Sequence, residues 1–377
     1  MKKISILGAT GTIGQNTLKI IAQHPGRFAV TALTAGDNVE LLIEQARFFK
    51  PERAVIANEM HYAVLKKELS GTGIEVAAGE TAIAEAASMP ADMAMSAMVG
   101  AAGLIPTLSA IRSGKAVALA NKESLVCAGG LVMQEAEKHG ATLLPVDSEH
   151  NAVFQLTQDF TFVEHITLTA SGGPFRAWTT EQMTKATPEQ AIKHPNWNMG
   201  AKISVDSATL MNKGLEMIEA HHLFALKPDQ IRVLIHPESI VHCLVQMVDG
   251  SMLAQLSAPD MCTPIACALA WPDRVETTVK KLNLAEIGRL HFEAPDESRF
   301  PALRLARAAL SEGGNAACTL NAANEVAVQR FLKGEITFPD IVKTVEKTLE
   351  KVENAKLTGI EDVLACDRQA RDIAKEL

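Results

Sequence analysis

The chain has 377 residues, a length at which one hydrophobic core seldom suffices, so two or three domains are expected. Its net charge is −8 and it has no long block of lysine and arginine, which argues against nucleic acid or a membrane surface as a partner. The six cysteines include no Cys-x-x-Cys pair, which favours reduced thiols over a disulfide or zinc framework. A predicted strand follows the first three residues directly and leaves no room for a signal segment, so a cytoplasmic location is expected.

A glycine-rich turn follows the first predicted strand. The run from Gly8 to Gly14 reads GATGTIG, and a helix is predicted from near Thr12. Glycines let the backbone approach a pyrophosphate, whose charge is stabilised by a helix N-terminus. The spacing is of moderate specificity, but a second strand at Phe28–Leu33 arrives after one helix, as a βαβ dinucleotide unit requires.

Asp37 follows that second strand, within the segment Gly36 to Asn38. An acidic residue in this region often binds the ribose 2′-hydroxyl of NAD, whereas a cation suits a 2′-phosphate. Asp37 lies past the usual position, however, and a side chain that only faces water is the alternative.

Further strands are predicted at Ala54–Ala57, within the uncharged run Met93–Ile111 and at Ala116–Ala120. Strands alternating with helices predict a mostly parallel, doubly wound, Rossmann-like sheet. The uncharged run is long enough to raise the question of a membrane span, but its glycines, serines and proline favour a buried strand, a turn and a helix start.

Polar residues follow two of these strands. Lys122 closes the strand that begins at Ala116, where ligands of parallel sheets bind, although a lysine near a helix start is an equally good interpretation. After the apolar run from Leu143, Asp147 and Glu149 would share one face if the extended backbone continues to Glu149. Two carboxylates so near each other suggest a divalent metal site or an acid/base pair, and a solvated strand end is the alternative.

Three features of the next segment have both a functional and a structural interpretation. The turn from Ser171 to Pro174 offers N–H groups and a hydroxyl for a phosphate, or is only a turn. Trp197, in the polar segment Thr179–Gly200, suits a lid over a site or a packing anchor. In the following predicted helix, Asn212 and Glu216 share one face, so Glu216 offers a third carboxylate or is a solvated side chain.

The remaining patterns complete the predicted fold, an α/β protein with a central α+β catalytic domain and a C-terminal helical bundle. Strands of a second sheet are predicted near residues 232–236, 241–248 and 252–256, and four helices are predicted between Ala302 and Leu377. The predicted domains are 1–146 for the dinucleotide, 147–272 for catalysis, with a lid at about 179–200, a linker at 273–295 and the helical domain at 296–377.

Six motifs, in this order, closely resemble the 1-deoxy-D-xylulose 5-phosphate reductoisomerase family of the non-mevalonate isoprenoid pathway. They are Gly8–Gly14, Ala120–Ser124, Pro145–His150, Ala170–Phe175, His194–Trp197 and Leu210–Glu216. The resemblance covers nearly the whole chain, and it implies that residues 147–272 also serve metal binding and dimerisation. It implies a homodimer that uses NADPH and Mn²⁺ or Mg²⁺ to convert a phosphosugar, 1-deoxy-D-xylulose 5-phosphate, to 2-C-methyl-D-erythritol 4-phosphate.

The resemblance also implies site residues, position by position. Three carboxylates, whose hard oxygens suit Mg²⁺ or Mn²⁺, are implied to bind the divalent ion: Asp147, Glu149 and Glu216. The residues implied to bind the substrate are Lys122, Ser148, Glu149, Ser171, His194, Trp197, Ser207, Asn212, Lys213 and Glu216. The residues implied to bind the cofactor are Thr10, Gly11, Thr12, Ile13, Gly36, Asn38, Asn121, Glu123 and Gly200. The residues implied to be catalytic are Lys122, Asp147, Glu149, His150 and Glu216.

The chain departs from the family pattern at two places. Ala9 and Thr12 stand where serine is common, which leaves the hydroxyl at Thr12, and Asp37 stands where a basic residue is common. Six matching motifs outweigh one unfavourable side chain, so NADPH is expected over NADH.

Two alternative functions compete with this interpretation. One is another nicotinamide-dependent phosphosugar or semialdehyde dehydrogenase, which in the semialdehyde case needs an activated cysteine; Cys127 follows the Lys122 turn but lies in an apolar run typical of a buried thiol. The other is a non-catalytic NAD(P)-binding regulator, which would have no use for a substrate-phosphate pocket.

Overall fold

The computed structural model describes residues 1–197 and 199–377, so Asn198, inside the predicted lid, lies outside the described residues. The strands are β1 (Lys2–Leu7), β2 (Phe28–Ala35), β3 (Arg53–Ile56), β4 (Glu75–Ala78), β5 (Met93–Ser96), β6 (Ala116–Leu119), β7 (Leu143–Pro145), β8 (Val163–Ala170), β9 (Ile231–Ile235), β10 (Val241–Met247) and β11 (Met252–Leu256). The α-helices are α1 (Thr12–Gln23), α2 (Val39–Phe49), α3 (Tyr62–Glu68), α4 (Glu80–Ser88), α5 (Leu104–Arg112), α6 (Lys122–His139), α7 (Ser148–Leu156), α8 (Thr180–Thr184), α9 (Pro188–Ala191), α10 (Ala201–Ala208), α11 (Met211–Phe224), α12 (Cys262–Ala270), α13 (Leu284–Ile287), α14 (Ala302–Glu312), α15 (Ala316–Leu332), α16 (Phe338–Lys351) and α17 (Ile360–Lys375).

The first compact unit comprises residues 1–124, 132–151 and 261–279 and contains a parallel seven-stranded sheet. Its strand order is β4-β3-β2-β1-β5-β6-β7. Every residue of β5 is buried, as expected for a parallel strand that is covered on both faces. The strand order reverses between β1 and β5, and ligands of doubly wound sheets bind beyond the carboxyl ends at such a point. The predicted Rossmann-like sheet is therefore confirmed.

The second compact unit comprises residues 125–131, 152–260 and 280–377. Its four-stranded sheet has the order β11-β10-β8-β9, in which β8 and β9 are parallel and the other pairs are antiparallel. Ile166 and Leu168 of β8 share one apolar core with Phe331 of α15 and Phe338 of α16. The predicted α+β part and C-terminal helices are confirmed, while the functional domain boundaries stay a prediction.

The uncharged run at residues 93–111 is folded as the sequence predicts. It forms β5, a turn containing Gly100 and helix α5. Across residues 1–197 and 199–377, no helix has the length and apolarity that crossing a bilayer demands.

One expected strand is shorter than predicted. The extended backbone does not continue to Glu149, because β7 ends at Pro145 and α7 begins at Ser148. The Asp147 carbonyl accepts the Asn151 N–H at 2.8 Å, and its carboxylate accepts the Ser148 N–H at 3.0 Å. Asp147 thus occupies the position before the helix, where aspartate is favoured. Glu149 lies in the first turn of α7 instead of alternating with Asp147 on a strand.

Candidate functional site

The turn after β1 is shaped by close backbone packing. Its Gly8 N–H donates to Thr34 Oγ1 at 3.0 Å, and its Ala9 N–H donates to the Thr34 carbonyl at 2.7 Å. Gly8 has φ of +90°, and a Cβ there would lie 2.7 Å from the Ala97 carbonyl oxygen. A Cβ on Gly14 would lie 2.3 Å from the Gly8 oxygen. The turn therefore requires glycine, and it leads directly into the N-terminus of α1, where N–H groups are available to an anion.

The turn after β2 holds Asp37 at the surface. Asn38 precedes α2, and its Oδ1 accepts the Leu41 N–H at 3.1 Å. The exposed Asp37 carboxylate accepts a hydrogen bond from Asn58 Nδ2 at 2.9 Å. This contact directs one oxygen of Asp37 toward Asn58.

Asn121 connects the loops that follow β5 and β6. It is 1% exposed, and its Nδ2 donates to the carbonyls of Met98 at 2.8 Å and Gly100 at 2.9 Å. The same amide donates to Glu123 Oε2 at 3.1 Å. The carboxyl edge of the first sheet thus brings together most of the predicted cofactor residues, namely Thr10, Gly11, Thr12, Ile13, Gly36, Asn38, Asn121 and Glu123. Gly200 lies in the second unit, immediately before α10.

Charged groups meet in the first unit where β6 and β7 end. Lys122 Nζ lies 2.5 Å from Asp147 Oδ2, and Lys122 is buried. The fully buried His150 places its Nδ1 3.9 Å from the same carboxylate oxygen. The Ser148 hydroxyl donates to the carboxylate of Glu149. This arrangement combines carboxylate oxygens suited to a hard cation with side chains that transfer protons.

Ser171 and His194 form a hydrogen-bonded pair in the second unit. The Nδ1 atom of His194 accepts N–H groups from Asn196 at 3.2 Å and from Trp197 at 3.0 Å, and its Nε2 lies 2.8 Å from Ser171 Oγ. Because Nδ1 accepts, the proton of the neutral ring is on Nε2 and is donated to Ser171. The Ser171 O–H is then free to point at an anion. Burial lowers the pKa of His194 to about 4, so the ring is neutral at physiological pH.

Ser207 lies against the turn that follows Ser171. Gly173 has φ of +67°, and a Cβ there would lie 2.6 Å from the Ser207 carbonyl oxygen. Leu210 has φ of +62°, which is uncommon for a residue with a side chain, and it joins α10 directly to α11. This turn places Ser207 and the start of α11 a few residues apart.

The start of α11 carries three polar side chains, and the helical spacing predicts two of them, Asn212 and Glu216, on one face. Asn212 and Lys213 both donate to the carboxylate of Glu216. Lys213 is 3% exposed and Glu216 is 1% exposed. A buried cation and an amide at the start of one helix suit the binding of a phosphate group.

Several contacting residues of this region were not predicted. Asn196 Nδ2 donates to Ser239 Oγ at 3.0 Å, and the Trp197 ring lies 6.2 Å from the His242 ring. Asp206 of α10 accepts a hydrogen bond from Asn324 at 2.7 Å. The two hydrogen-bonded pairs are 43 and 118 residues apart in the chain, so no local spacing reveals them.

Comparison with known proteins gives, over the whole chain, the family that the six sequence motifs resemble. Residues 4–129 match the family model described as 1-deoxy-D-xylulose 5-phosphate reductoisomerase, residues 143–224 match that of its C-terminal domain, and residues 256–373 match the DXP reductoisomerase C-terminal domain. The 1-deoxy-D-xylulose 5-phosphate reductoisomerase of Rhodospirillum centenum is 57% identical over 379 residues, which cover 100% of this chain and 94% of the relative. The corresponding protein of Caulobacter vibrioides is 53% identical over 384 residues, with 100% and 96% covered.

Two solved structures are similar along their whole length. The reductoisomerase of Zymomonas mobilis in complex with NADPH has a TM-score of 0.94 and 50% sequence identity, and the match covers 100% of this chain and 98% of that one. A DOX-P reductoisomerase in complex with NADPH, fosmidomycin and magnesium has a TM-score of 0.94 and 45% identity, with the same coverage.

Proposed function

Because this chain belongs to the 1-deoxy-D-xylulose 5-phosphate reductoisomerase family, it is an NADP-dependent oxidoreductase, and we propose that the residues described above carry its reaction. The reaction rearranges 1-deoxy-D-xylulose 5-phosphate and reduces it to 2-C-methyl-D-erythritol 4-phosphate. Similarity over the full length of the chain supports the reaction, and the hydrogen-bonded groups within each unit support the residue roles.

The phosphate end of the substrate is bound by the polar groups of the second unit. Ser171 donates its O–H to the phosphate, because His194 supplies the hydrogen bond that its oxygen accepts. The buried ammonium of Lys213 offsets the phosphate charge. The other residues proposed to bind the phosphate are Ser207 and Asn212, and Trp197 covers the substrate from the lid segment.

The divalent ion is held by Asp147, Glu149 and Glu216. All three supply carboxylate oxygens, the ligands that Mg²⁺ and Mn²⁺ favour, so the donor chemistry fits the ion. When bound, the ion supplies Lewis-acid polarisation of the substrate's oxygens. Lys122 and Ser148 contact the hydroxyl-bearing part of the substrate. Lys122, Glu149 and His150 are the groups proposed to move protons, since Lys122 and His150 both lie beside Asp147.

NADPH is bound at the carboxyl edge of the first sheet by the cofactor residues named above, together with Gly200. Relatives of this fold bind NADPH, as the Zymomonas mobilis complex does. The Thr12 hydroxyl offers a donor at the start of α1, where the family commonly has serine. The nicotinamide supplies the hydride, while the protein orients the substrate and excludes water.

The alternative functions are not favoured. The Cys127 thiol is 2% exposed and accepts a hydrogen bond from Asn321 at 3.4 Å, so it is not placed to attack a substrate. A silent regulator would not need the buried Lys213 and Glu216 pair. All six cysteines are free thiols, which supports the proposed cytoplasmic location.

The test is to incubate the purified protein with 1-deoxy-D-xylulose 5-phosphate, NADPH and Mn²⁺ and to follow the absorbance of NADPH. Oxidation that requires all three additions supports the proposal. Oxidation of NADPH with a semialdehyde in place of the sugar phosphate, or none with either, would contradict it.

A further inference from the structure

A buried side chain of α2 contacts the nucleotide turn after β1. Gln45 is 7% exposed, and its Nε2 donates to the carbonyl oxygen of Ala9 at 3.0 Å. A carbonyl oxygen accepts hydrogen bonds but cannot donate them, so the amide nitrogen of Gln45 has to face Ala9. The Oε1 atom of Gln45 is buried without a hydrogen-bond partner among the described residues. Packing alone would be served better by an apolar side chain, because a buried acceptor without a partner is costly.

The contact fixes the direction of the next N–H group. In a trans peptide the carbonyl and the following N–H point in opposite directions. Because Gln45 holds the Ala9 carbonyl toward α2, the Thr10 N–H points away from α2. Within residues 1–197 and 199–377 no backbone or side-chain group accepts that N–H, whereas the Gly11 N–H is already used by the Gly8 carbonyl at 3.2 Å.

We propose that Gln45 is a positioning residue for the cofactor pyrophosphate, because it holds the Ala9–Thr10 peptide so that the Thr10 N–H donates to a phosphate oxygen. The inference rests on the proposed NADPH site and deepens it. Thr34 acts in the same way on the preceding peptide groups, since it accepts the N–H groups of Gly8 and Ala9. The turn is thus fixed from β2 and from α2 before any nucleotide binds, which lowers the entropy lost on binding.

The test compares Gln45→Met, which keeps the length of the side chain and removes the donor, with Ile43→Val. Ile43 is also a buried residue of α2, so its variant reports a small loss of packing in the same helix. Dissociation constants are measured for NADPH and for adenosine 2′-phosphate, a probe that lacks the pyrophosphate. We expect Gln45→Met to weaken NADPH binding roughly tenfold, as the loss of an oriented donor to a charged group does. Binding of adenosine 2′-phosphate and both constants of Ile43→Val should stay near those of the wild type.

Gln45→Glu provides a second variant, because a carboxylate facing the Ala9 carbonyl repels it and should weaken NADPH binding more than methionine does. Equal weakening of both probes would show general loosening of the site and overturn the inference. Unchanged NADPH binding in Gln45→Met would overturn it as well. A wild-type protein that does not bind NADPH would instead refute the proposed cofactor, and the inference with it.

Discussion

Two lysines form close pairs with carboxylates that the proposed function assigns to metal binding. Lys213 pairs with Glu216 in the second unit, and Lys122 pairs with Asp147 in the first. Removing one member of a buried pair leaves the other charge uncompensated, at a cost of roughly 3–5 kcal/mol. Such pairs add little net stability compared with apolar residues, so chemistry is the better reason for charges at these positions.

We predict that Glu216→Gln lowers kcat by roughly 100-fold or more, because an amide is a weaker ligand for a hard divalent ion than a carboxylate. The dissociation constant for NADPH should change little, since the proposed cofactor residues lie mostly in the first unit. Steady-state kinetics over a range of Mn²⁺ concentrations measures the first effect and fluorescence titration the second.

The matched control for this prediction is Glu325→Gln. Glu325 is a carboxylate of the same unit and pairs with Arg371 at 2.6 Å, outside the proposed site. Its variant should keep the wild-type kcat. Full activity of the wild-type protein after exhaustive chelation would refute the metal assignment.

We predict that Asp37→Lys tightens the binding of NADPH about fivefold, because roughly one kcal/mol of screened repulsion from the 2′-phosphate is removed. NADH, which lacks that phosphate, should bind as before. The wild type should still prefer NADPH, because the hydrogen bond from Asn58 directs one oxygen of the Asp37 carboxylate toward Asn58 and so limits its repulsion of the 2′-phosphate. The values of kcat/KM for both cofactors measure the preference.

Glu40→Lys makes the same change of charge at an exposed position in the first turn of α2. It separates the local effect of Asp37 from that of net charge, and it should tighten NADPH binding much less. Equal use of NADH and NADPH by the wild type would show that Asp37 selects the cofactor after all.

At the scale of elements, the sequence predicts the features that depend on neighbouring residues, such as the order of strands and helices and the faces of a helix. The alternation of strands and helices predicts the parallel sheet, and the spacing of Asn212 and Glu216 places both on one face of α11. The extended backbone expected through Glu149 was wrong, because the capping tendency of Asp147 outweighs the strand pattern before it. Contacts such as Asn196 with Ser239 join distant segments, so no local pattern encodes them.

The predicted lid segment contains two helix starts that its local sequence pattern indicates. Helices α8 and α9 each begin with a capping box, formed by Thr179 with Gln182 and by Thr187 with Gln190. The pattern Thr-x-x-Gln indicates such helix starts. Residues 179–191 are therefore more regular than their polar, proline-containing composition predicts.

We predict that acid weakens the docking of the His194–Trp197 turn. The ring of His194 accepts two N–H groups, and protonation of Nδ1 abolishes both contacts. Because burial lowers its pKa from 6.5 to about 4, the neutral ring stabilises the docked turn fully above pH 6.5. That contribution is lost as the pH falls from 6.5 to about 4, since the undocked ring takes up its proton first.

Fluorescence of Trp197 reports this change once Trp178 and Trp271 are replaced by phenylalanine. The signal should shift as the pH falls, and His194→Gln should remove the dependence. His222→Gln is the matched control, because burial also lowers the pKa of His222 to about 4. A signal that is constant from neutral pH to about 4, or one abolished by His222→Gln, would contradict the assignment to His194.

At the scale of the whole molecule, the two edge strands of the second sheet differ in how far their outer sides are covered. At one edge, Ile235 of β9 exchanges hydrogen bonds of 2.8 and 2.9 Å with Glu293, so part of that edge is covered. At the other edge lies β11, which the described residues leave open on its outer side. Met252 and Leu253 of β11 are 51% and 42% exposed. An open edge strand with exposed apolar side chains is a surface for pairing with another chain.

We predict that β11 forms the contact between two copies of this chain. Light scattering after gel filtration at micromolar concentration should give twice the 40.4 kDa mass of one chain. Leu253→Lys should shift the mass toward that of one chain, because a charge on an edge strand opposes pairing. Met60→Lys, at an 81% exposed position of the first unit, is the control and should leave the mass unchanged. A wild-type mass of one chain would refute the dimer, and a Leu253→Lys variant that keeps the double mass would place the contact elsewhere.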